Sequence, residues 1–342
     1  MSQSESVENS KVLQKRHLKS VVPSEYHGLL LVDKPEGMTS HDVVARIRRV
    51  LGIKAVGHTG TLDPMASGLM VLLLGEATKI SDYLLNGDKG YALAVQLGVR
   101  TDSLDRTGEV LSKETVDIPM EKIQSAIESL QGSHELLIPK FSAKKVDGKK
   151  LYEYARKSVE IDWPSKEMSF FDFKEIEIQA DSFQLEMKCS KGSFIRSWSS
   201  QVGENLRVGA TLTSLRRVYS HPYQIGEAIP LDDLEAAVHL MREEGQNVLP
   251  LKTCFPESFI PLVESLPTLK GLTVVGKNER LLRNGQVPSE IKKRLVPEQK
   301  EVNKRKAGVW MKAISGRTGQ LLAILELQPQ KQVKTKRIFN TF

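Results

Sequence analysis

Cysteine is scarce in this chain: Cys189 and Cys254 are the only two in 342 residues, with no Cys-x-x-Cys pair and no His-rich neighbour. Neither a disulfide framework nor a zinc site organises such a sequence, and both thiols are expected to be buried in a reducing compartment. Long apolar stretches are missing too. The longest run, Leu69–Leu74, falls far short of the ~20 residues that span a bilayer. The N-terminus opens on Ser, Gln and Glu instead of a cationic and then apolar leader, so a soluble, cytoplasmic protein without membrane association is expected. No repeat or low-complexity tract points to a solenoid.

What is present is ordinary globular composition with a basic excess. Hydrophobic residues make up 40% and charged residues 27% of the chain, enough apolar content for a sizeable core. The length suggests two domains, or one large sheet with an appendage. A net charge of +7 and a pI near 9.2 favour a polyanionic partner. Lys144, Lys145, Lys149 and Lys150 form one basic cluster, and Lys292, Lys293, Arg294, Lys304, Arg305 and Lys306 another. A solvated lysine face is the default reading of either; nucleic acid becomes the better one where a catalytic groove lies nearby.

Residues 1–24 are polar, charged and aperiodic and read as a disordered extension. Gly28-Leu-Leu-Leu-Val-Asp-Lys reads as a buried strand stopped by Pro35 and Gly37. Ser40 then offers an N-cap to a helix with Val43, Val44, Ile47, Val50 and Leu51 on one face. Leu69–Leu74 and the segment from Tyr91 to Val99 read as further strands, and Phe170–Gln179 with Ser182–Cys189 as an antiparallel hairpin. Helical patterns fall at Glu121–Gln131, Leu151–Ser158 and Ile195–Leu206, giving a mixed sheet with helices on its faces. From about 266 onward, short β-rich segments alternate with basic turns, as in a separate small β domain.

The stretch "GHTGTLDPMASG", Gly57–Gly68, is where chemistry concentrates. It carries neither the Gly-x-x-x-x-Gly-Lys-Ser/Thr spacing nor the Gly-x-Gly-x-x-Gly fingerprint, so nucleotide binding is disfavoured. Pro64 restrains Asp63 to extended backbone angles, and the glycines let a ligand approach closely. Asp63 is then either a presented carboxylate or an Asx cap of its own turn, and spacing alone does not choose.

The same stretch, preceded by "LLLVDKPEGMTSHDVV" and followed by "GYALAVQLGVRTDSLDRTGEV", "FSAKKVDGKKLYEYAR" and "CSKGSFIRSWSSQVGENLRVGATLTSLRR", resembles the TruB family of tRNA pseudouridine synthases from about 28 to 223. The resemblance implies an α+β fold with a mixed, mainly antiparallel sheet. Residues 25–250 would form the catalytic domain, with a thumb-like RNA-binding insertion at about 141–165. The segment 266–338 is similar to a PUA-type RNA-binding domain. The implied reaction converts the T-loop uridine of tRNA, uridine-55, to its C-glycoside isomer after the base is flipped out. It needs no metal or organic cofactor and no protein partner, and the enzyme would act on the T-arm as a monomer.

The family's roles transfer residue by residue. Asp63 matches the essential aspartate, able to attack C1′ or to remove the 2′ proton. Arg196 matches its arginine partner, expected to hold the carboxylate and lower its pKa. Tyr91 matches the active-site tyrosine, expected to stack on the uracil. His58 corresponds to the histidine that fills the space left by the everted base, and Asp105 to an aspartate that contacts substrate and bridges to the arginine. Lys34, Lys144, Lys145 and Leu215 are further expected substrate contacts. Three positions depart from the family pattern: Phe141 and Phe194 stand where tyrosine is common, and Ser67 where threonine is. Two other readings compete, a non-catalytic RNA-binding or tRNA-folding protein and a guide-RNA-dependent synthase acting on ribosomal RNA; the 141–156 insertion disfavours the second.

Overall fold

The computed structural model describes residues 22–142, 144–146, 148–156, 161–246 and 248–341. Residues 1–21 of the expected extension, and the expected helix end at Ser158, lie outside the described residues. The last residues of that extension belong to the fold instead. Val22 packs on the main core, Ser24–Tyr26 form a 3-10 turn, and the buried Tyr26 hydroxyl accepts from the Leu249 amide at 3.0 Å.

The frame is an α+β sheet built from β1 (Gly28–Lys34), β2 (Val56–His58), β3 (Ser67–Leu74), β4 (Lys89–Leu97), β5 (Gly132–Leu137), β6 (Ser165–Ile178), β7 (Ser182–Cys189) and β8 (Ala210–Ser220). Its main path runs from Ile229–Pro230 through β1, β3, β8, β4, β7, β6 and β5, and Phe259–Pro261 adds to β1. Pairing is antiparallel except for β8 with β3 and β1 with Ile229–Pro230. The expected hairpin is present as β6–β7, with two register shifts.

Strands β1 and β3 are buried on both faces, which is why they read as continuous apolar runs and not as alternation. One face, with Leu30, Val32, Met70 and Leu72, belongs to the main core, to which the helices α1 (Ser40–Leu51) and α2 (Ile195–Leu206) also contribute. The other face, with Leu29, Leu31, Leu69, Val71 and Leu73, joins Leu321, Ile324 and Phe339 of the C-terminal region in a second core.

The N-cap of α1 is Thr39 and not Ser40. Thr39 Oγ1 accepts from the Asp42 amide at 3.1 Å while Asp42 Oδ2 accepts from the Thr39 amide at 2.9 Å, a reciprocal capping box. Ser40 is thereby freed to turn inward.

The C-terminal region carries a four-stranded sheet of Lys270–Val274, Val309–Ser315, Leu321–Leu327 and Lys334–Ile338. Between its first two strands, where basic turns were expected, lie helices Lys277–Arg283, Ser289–Arg294 and Val296–Arg305. The first two strands are parallel, so a crossover must join them, and the helices supply it. Among the described residues no helix is long and apolar enough to cross a membrane.

Candidate active site

The Asp63 loop is fixed from below by neighbours that sequence spacing brings to it. Ser40 Oγ, at the start of α1, accepts from the Leu62 amide at 2.8 Å and donates to the Leu62 carbonyl at 3.1 Å. Leu62, Met65 and Ala66 are buried in the main core, so apolar residues on both sides of Asp63 hold the turn down while the carboxylate points outward. The Ala66 amide donates to the Asp63 carbonyl and the Gly37 amide to the Pro64 carbonyl, at 3.1 and 2.8 Å. Gly68 (φ +102°) then lets β3 pass against β8: a Cβ there would lie 2.3 Å from the Arg217 carbonyl oxygen.

Arg196 lies in the first turn of α2 and is 4% exposed. A helix-surface cation, the ordinary reading of such a residue, is thus ruled out. Its Nε lies 3.0 Å from Asp63 Oδ2 and its Nη1 3.5 Å from Asp105 Oδ2. The remaining donors reach the carbonyls of Ser103 (3.0 Å) and Phe141 (3.1 Å). One guanidinium thereby ties together the Asp63 loop, the Asp105 turn and the chain at Phe141. The Phe141 contact uses backbone only, so phenylalanine in place of tyrosine does not disturb it.

Asp63 is 34% exposed at its side chain and opens into a cavity of about 360 Å³, whose wall includes Tyr91, Leu215, Arg196, Arg217, Lys89 and Lys144. Among the described residues its carboxylate makes an ion pair with Arg196 and no Asx bond, which settles the local ambiguity toward a presented side chain. Protein covers about two-thirds of its side chain. That desolvation raises its pKa above the usual carboxylate value, with Arg196 pulling the other way and Asp105 adding to the rise. The expected net lowering by Arg196 is therefore not found: the guanidinium limits the rise without reversing it.

Tyr91, on β4, is 9% exposed. Burial pushes its phenol up to about 12, with the Arg217 guanidinium beside it acting in the opposite direction. Leu215, also expected at the substrate, lines the cavity from β8.

Asp105 lies off the cavity wall, 4% exposed. Its Oδ1 accepts from Ser103 Oγ (2.9 Å), the Thr107 amide (3.0 Å) and Thr107 Oγ1 (2.6 Å), leaving Oδ2 for Arg196. It caps its turn and orients the arginine, and it does not face the space a substrate would occupy.

Lys34 is likewise withdrawn from the cavity, with no exposed surface. Its ammonium donates to the carbonyls of Pro35 (2.8 Å), Met38 (2.7 Å) and, at 3.5 Å, Pro64, so it braces the Asp63 loop from behind. His58 also stays off the cavity wall. Its Nδ1 accepts from the Gly60 amide at 3.3 Å, and its ring meets His41 edge-on at 6.0 Å. Burial lowers its pKa, aided by His41 and Arg217, in keeping with a neutral ring that accepts at Nδ1. Lys145 belongs to a short hairpin, Lys145–Val146 with Lys149–Lys150; the side chains of Lys145, Lys149 and Lys150 lie outside the described residues.

Two buried cations on the wall were not anticipated. Arg217, 2% exposed, donates from Nε to the Leu69 carbonyl (2.6 Å) and from Nη2 to the Gly60 carbonyl (3.2 Å). Lys89 is 8% exposed and donates to the Gly87 carbonyl at 2.9 Å. Both were legible by strand alternation, lying two residues from Leu215 and Tyr91 on the same faces. Cys189 also lines the cavity, its thiol pushed up to about 12 by burial and hence inert. Cys254 is half-buried and both thiols are free. Among the described residues no group of three His, Cys, Asp or Glu side chains is placed to hold a metal ion.

The fold is that of a pseudouridine synthase. It superposes on a chain of "a Cbf5-Nop10-Gar1 Complex" with a TM-score of 0.64 at 21% identity, covering 93% of this chain and 86% of that one. A family model described as TruB family pseudouridylate synthase (N terminal domain) matches residues 48–195. A protein of Bdellovibrio bacteriovorus named tRNA pseudouridine synthase B is 43% identical over 92% of this chain and 98% of its own length. A protein of the same name from Salmonella paratyphi B is 34% identical over 78% of this chain and 93% of its own. The chain therefore belongs to the TruB family of pseudouridylate synthases.

Proposed function

We propose that this protein isomerises a uridine of tRNA, the T-loop uridine-55, to pseudouridine, with Asp63 as the reacting carboxylate. The observation that carries this reading is the Asp63–Arg196 ion pair at the wall of a cavity that also presents Tyr91. Support comes from the relatives, whose names state action on tRNA, and from the basic Lys144–Lys150 insertion next to the cavity.

The chemistry asks for little else. The N1–C1′ bond breaks, the uracil turns, and C5 forms a bond to C1′ while its proton is lost and N1 gains one. Asp63 either takes C1′ as nucleophile or removes the 2′ proton. Both routes need a carboxylate kept in place in a site that excludes water, which is what the side-on guanidinium and the buried Asp105 behind it provide. Tyr91 keeps its proton at neutral pH, so it stacks and positions and is not a resident phenolate base. The target base must leave its stack at a cost of a few kcal/mol, and the Tyr91 ring and Leu215 repay part of this through contact.

In this reading the enzyme works in the cytoplasm as a monomer, without metal, organic cofactor or protein partner. Residues 266–338 form a PUA-like domain that contacts the tRNA. The test is tritium release from unmodified tRNA transcript labelled at uracil C5, with purified protein and nothing added. Release is expected from the intact protein and not from Asp63→Asn, although that variant still binds RNA. Release that survives in Asp63→Asn overturns the assignment of the carboxylate. Binding without release by the intact protein means an RNA-binding module. Release that persists when uridine-55 is replaced by cytidine removes the T-loop as target.

A further inference from the structure

The cationic groups on the cavity wall differ in how they are balanced. Arg196 is matched by Asp63 and Asp105. Arg217 is spent on the Leu69 and Gly60 carbonyls and lies against the Tyr91 phenol. Lys191 donates to Asn86 Oδ1 at 2.6 Å, and Lys144 is exposed. Lys89, like Arg217, has no carboxylate partner among the described residues, but where Arg217 donates to two carbonyls it donates to one and keeps donors unspent. It is also buried.

An ammonium withdrawn from water without a counter-charge is costly, and a fold retains one where something anionic arrives. Lys89 is well placed for such a visitor. It sits two residues before Tyr91 on the same face of β4, and its side chain runs under the Asp63 loop: a Cβ on Gly60 would lie 3.9 Å from Lys89 Cε and 3.4 Å from Arg217 Nη1. Asp63, Tyr91 and Lys89 line the same cavity.

The reaction makes an anion in the base itself. When N1–C1′ breaks heterolytically, both bonding electrons leave with the uracil, and the charge spreads over N1, O2 and O4. C1′ is satisfied meanwhile by an Asp63 oxygen, or by loss of the 2′ proton to form a double bond. The charge vanishes again when C5 attacks C1′, an attack that expels the Asp63 oxygen as carboxylate or is completed by return of the 2′ proton; C5 then loses its proton and N1 gains one. We propose that Lys89 is the counter-cation of the departing uracil, its ammonium facing a base carbonyl oxygen and stabilising the uracil anion between bond cleavage and rejoining. The inference rests on the reading of the Asp63 cavity as the active site.

Fixed donors aimed at charge that develops only during reaction raise kcat more than they raise affinity. The groups facing Lys89 are Arg217 from β8, Cys189 from β7 and Asp88 on its own segment. Burial first, then Arg217, brings its pKa down to about 8, so the proton on which the stabilisation depends is lost at moderately alkaline pH.

The experiment is single-turnover and steady-state kinetics of Lys89→Met and Lys89→Arg on tRNA transcript, with Asp63→Asn in parallel. Lys89→Met is expected to lower kcat by about 10²-fold, the scale of one lost anion-stabilising donor, with KM and RNA affinity changed by less than about threefold. The alkaline fall of kcat near pH 8 is expected to disappear in Lys89→Met and to move well upward in Lys89→Arg, which keeps part of the rate. With 5-fluorouridine at the target position, whose fluorine stabilises the leaving anion, the Lys89→Met defect in glycosidic cleavage is expected to shrink. An unimpaired kcat in Lys89→Met overturns the proposal, as does an equal defect on uridine and 5-fluorouridine, or an unmoved alkaline limb in Lys89→Arg. Turnover by Asp63→Asn overturns the site reading and this inference together. A dead Asp63→Asn beside a fully active Lys89→Met overturns this inference alone.

Discussion

If Lys89 is held charged for the sake of a transient anion, the resting protein should be measurably less stable for it. The ordinary lysine value of 10.5 falls to about 8 in the fold. At ~1.4 kcal/mol per pH unit this corresponds to about 3 kcal/mol of native-state stability forgone at neutral pH. Replacing Lys89 by Met keeps the length and apolar stem, removes the charge, and loses the bond to the Gly87 carbonyl, worth roughly 1 kcal/mol. A net stabilisation of about 2 kcal/mol follows, a rise in melting temperature of roughly 4 °C or more for a unit of this size. The folded pKa lies below the unfolded one, so the penalty is complete below about 8, shrinks as pH climbs from there to 10.5, and is gone above. Calorimetric melting of both proteins at pH 7 and near pH 10 reads this directly: a gap in favour of Lys89→Met at pH 7 that narrows at the higher pH. A Lys89→Met protein that melts lower than wild type at pH 7, or a gap unchanged between the two pH values, would refute the reasoning.

Other perturbations follow from the same geometry. Arg196→Met strands two carboxylates and two carbonyls, and is expected to cost ~3–5 kcal/mol as well as turnover; chemical denaturation with an unshifted midpoint would contradict the network. Gly68→Ala forces a methyl group to within 2.3 Å of the Arg217 carbonyl oxygen at a left-handed φ, so a drop in melting temperature and in soluble yield is expected, far beyond that for Gly226→Ala, where a Cβ meets open space. Changing Lys144, Lys145, Lys149 and Lys150 together to Gln is expected to weaken tRNA binding and to flatten log Kd against log salt by ~0.7–0.9 per phosphate contact removed; an unchanged slope removes the insertion from the interface.

Most of the architecture near the site was legible because it is written in local patterns. The doubly buried β1 and β3 announce themselves as apolar runs, and α2 is bounded in the structure at Ile195–Leu206 as its periodicity suggests. Long-range bonds were not legible. That Ser40 would turn from capping its helix to gripping Leu62, and that Asp105 and Lys34 would face away from the cavity, depends on contacts across 22 residues or more in sequence or on a turn that closes upon itself. The C-terminal helices were masked by composition, since Lys292, Lys293, Lys304 and Arg305 sit on short amphipathic segments that look like basic turns until the parallel strand pair demands a crossover. Lys89 and Arg217 were within reach: alternation from Tyr91 and Leu215 finds them, but only after those two have been assigned to the cavity.

The two-sided burial of β1 and β3 has a practical meaning for the C-terminal region. Leu321, Ile324 and Phe339 roof the rear of the central strands, pinned at the margin by Lys79 on the Ile338 carbonyl (3.0 Å) and Lys312 on the Val263 carbonyl (2.9 Å). Amputating that roof would strip part of the cover from a greasy plate that includes Leu29, Leu31, Leu69, Val71 and Leu73, on the strands that carry the Asp63 loop. A shortened version meant to isolate the catalytic half should therefore precipitate unless that plate is repainted with polar residues, and its behaviour would report on lost cover, not on lost grip for RNA.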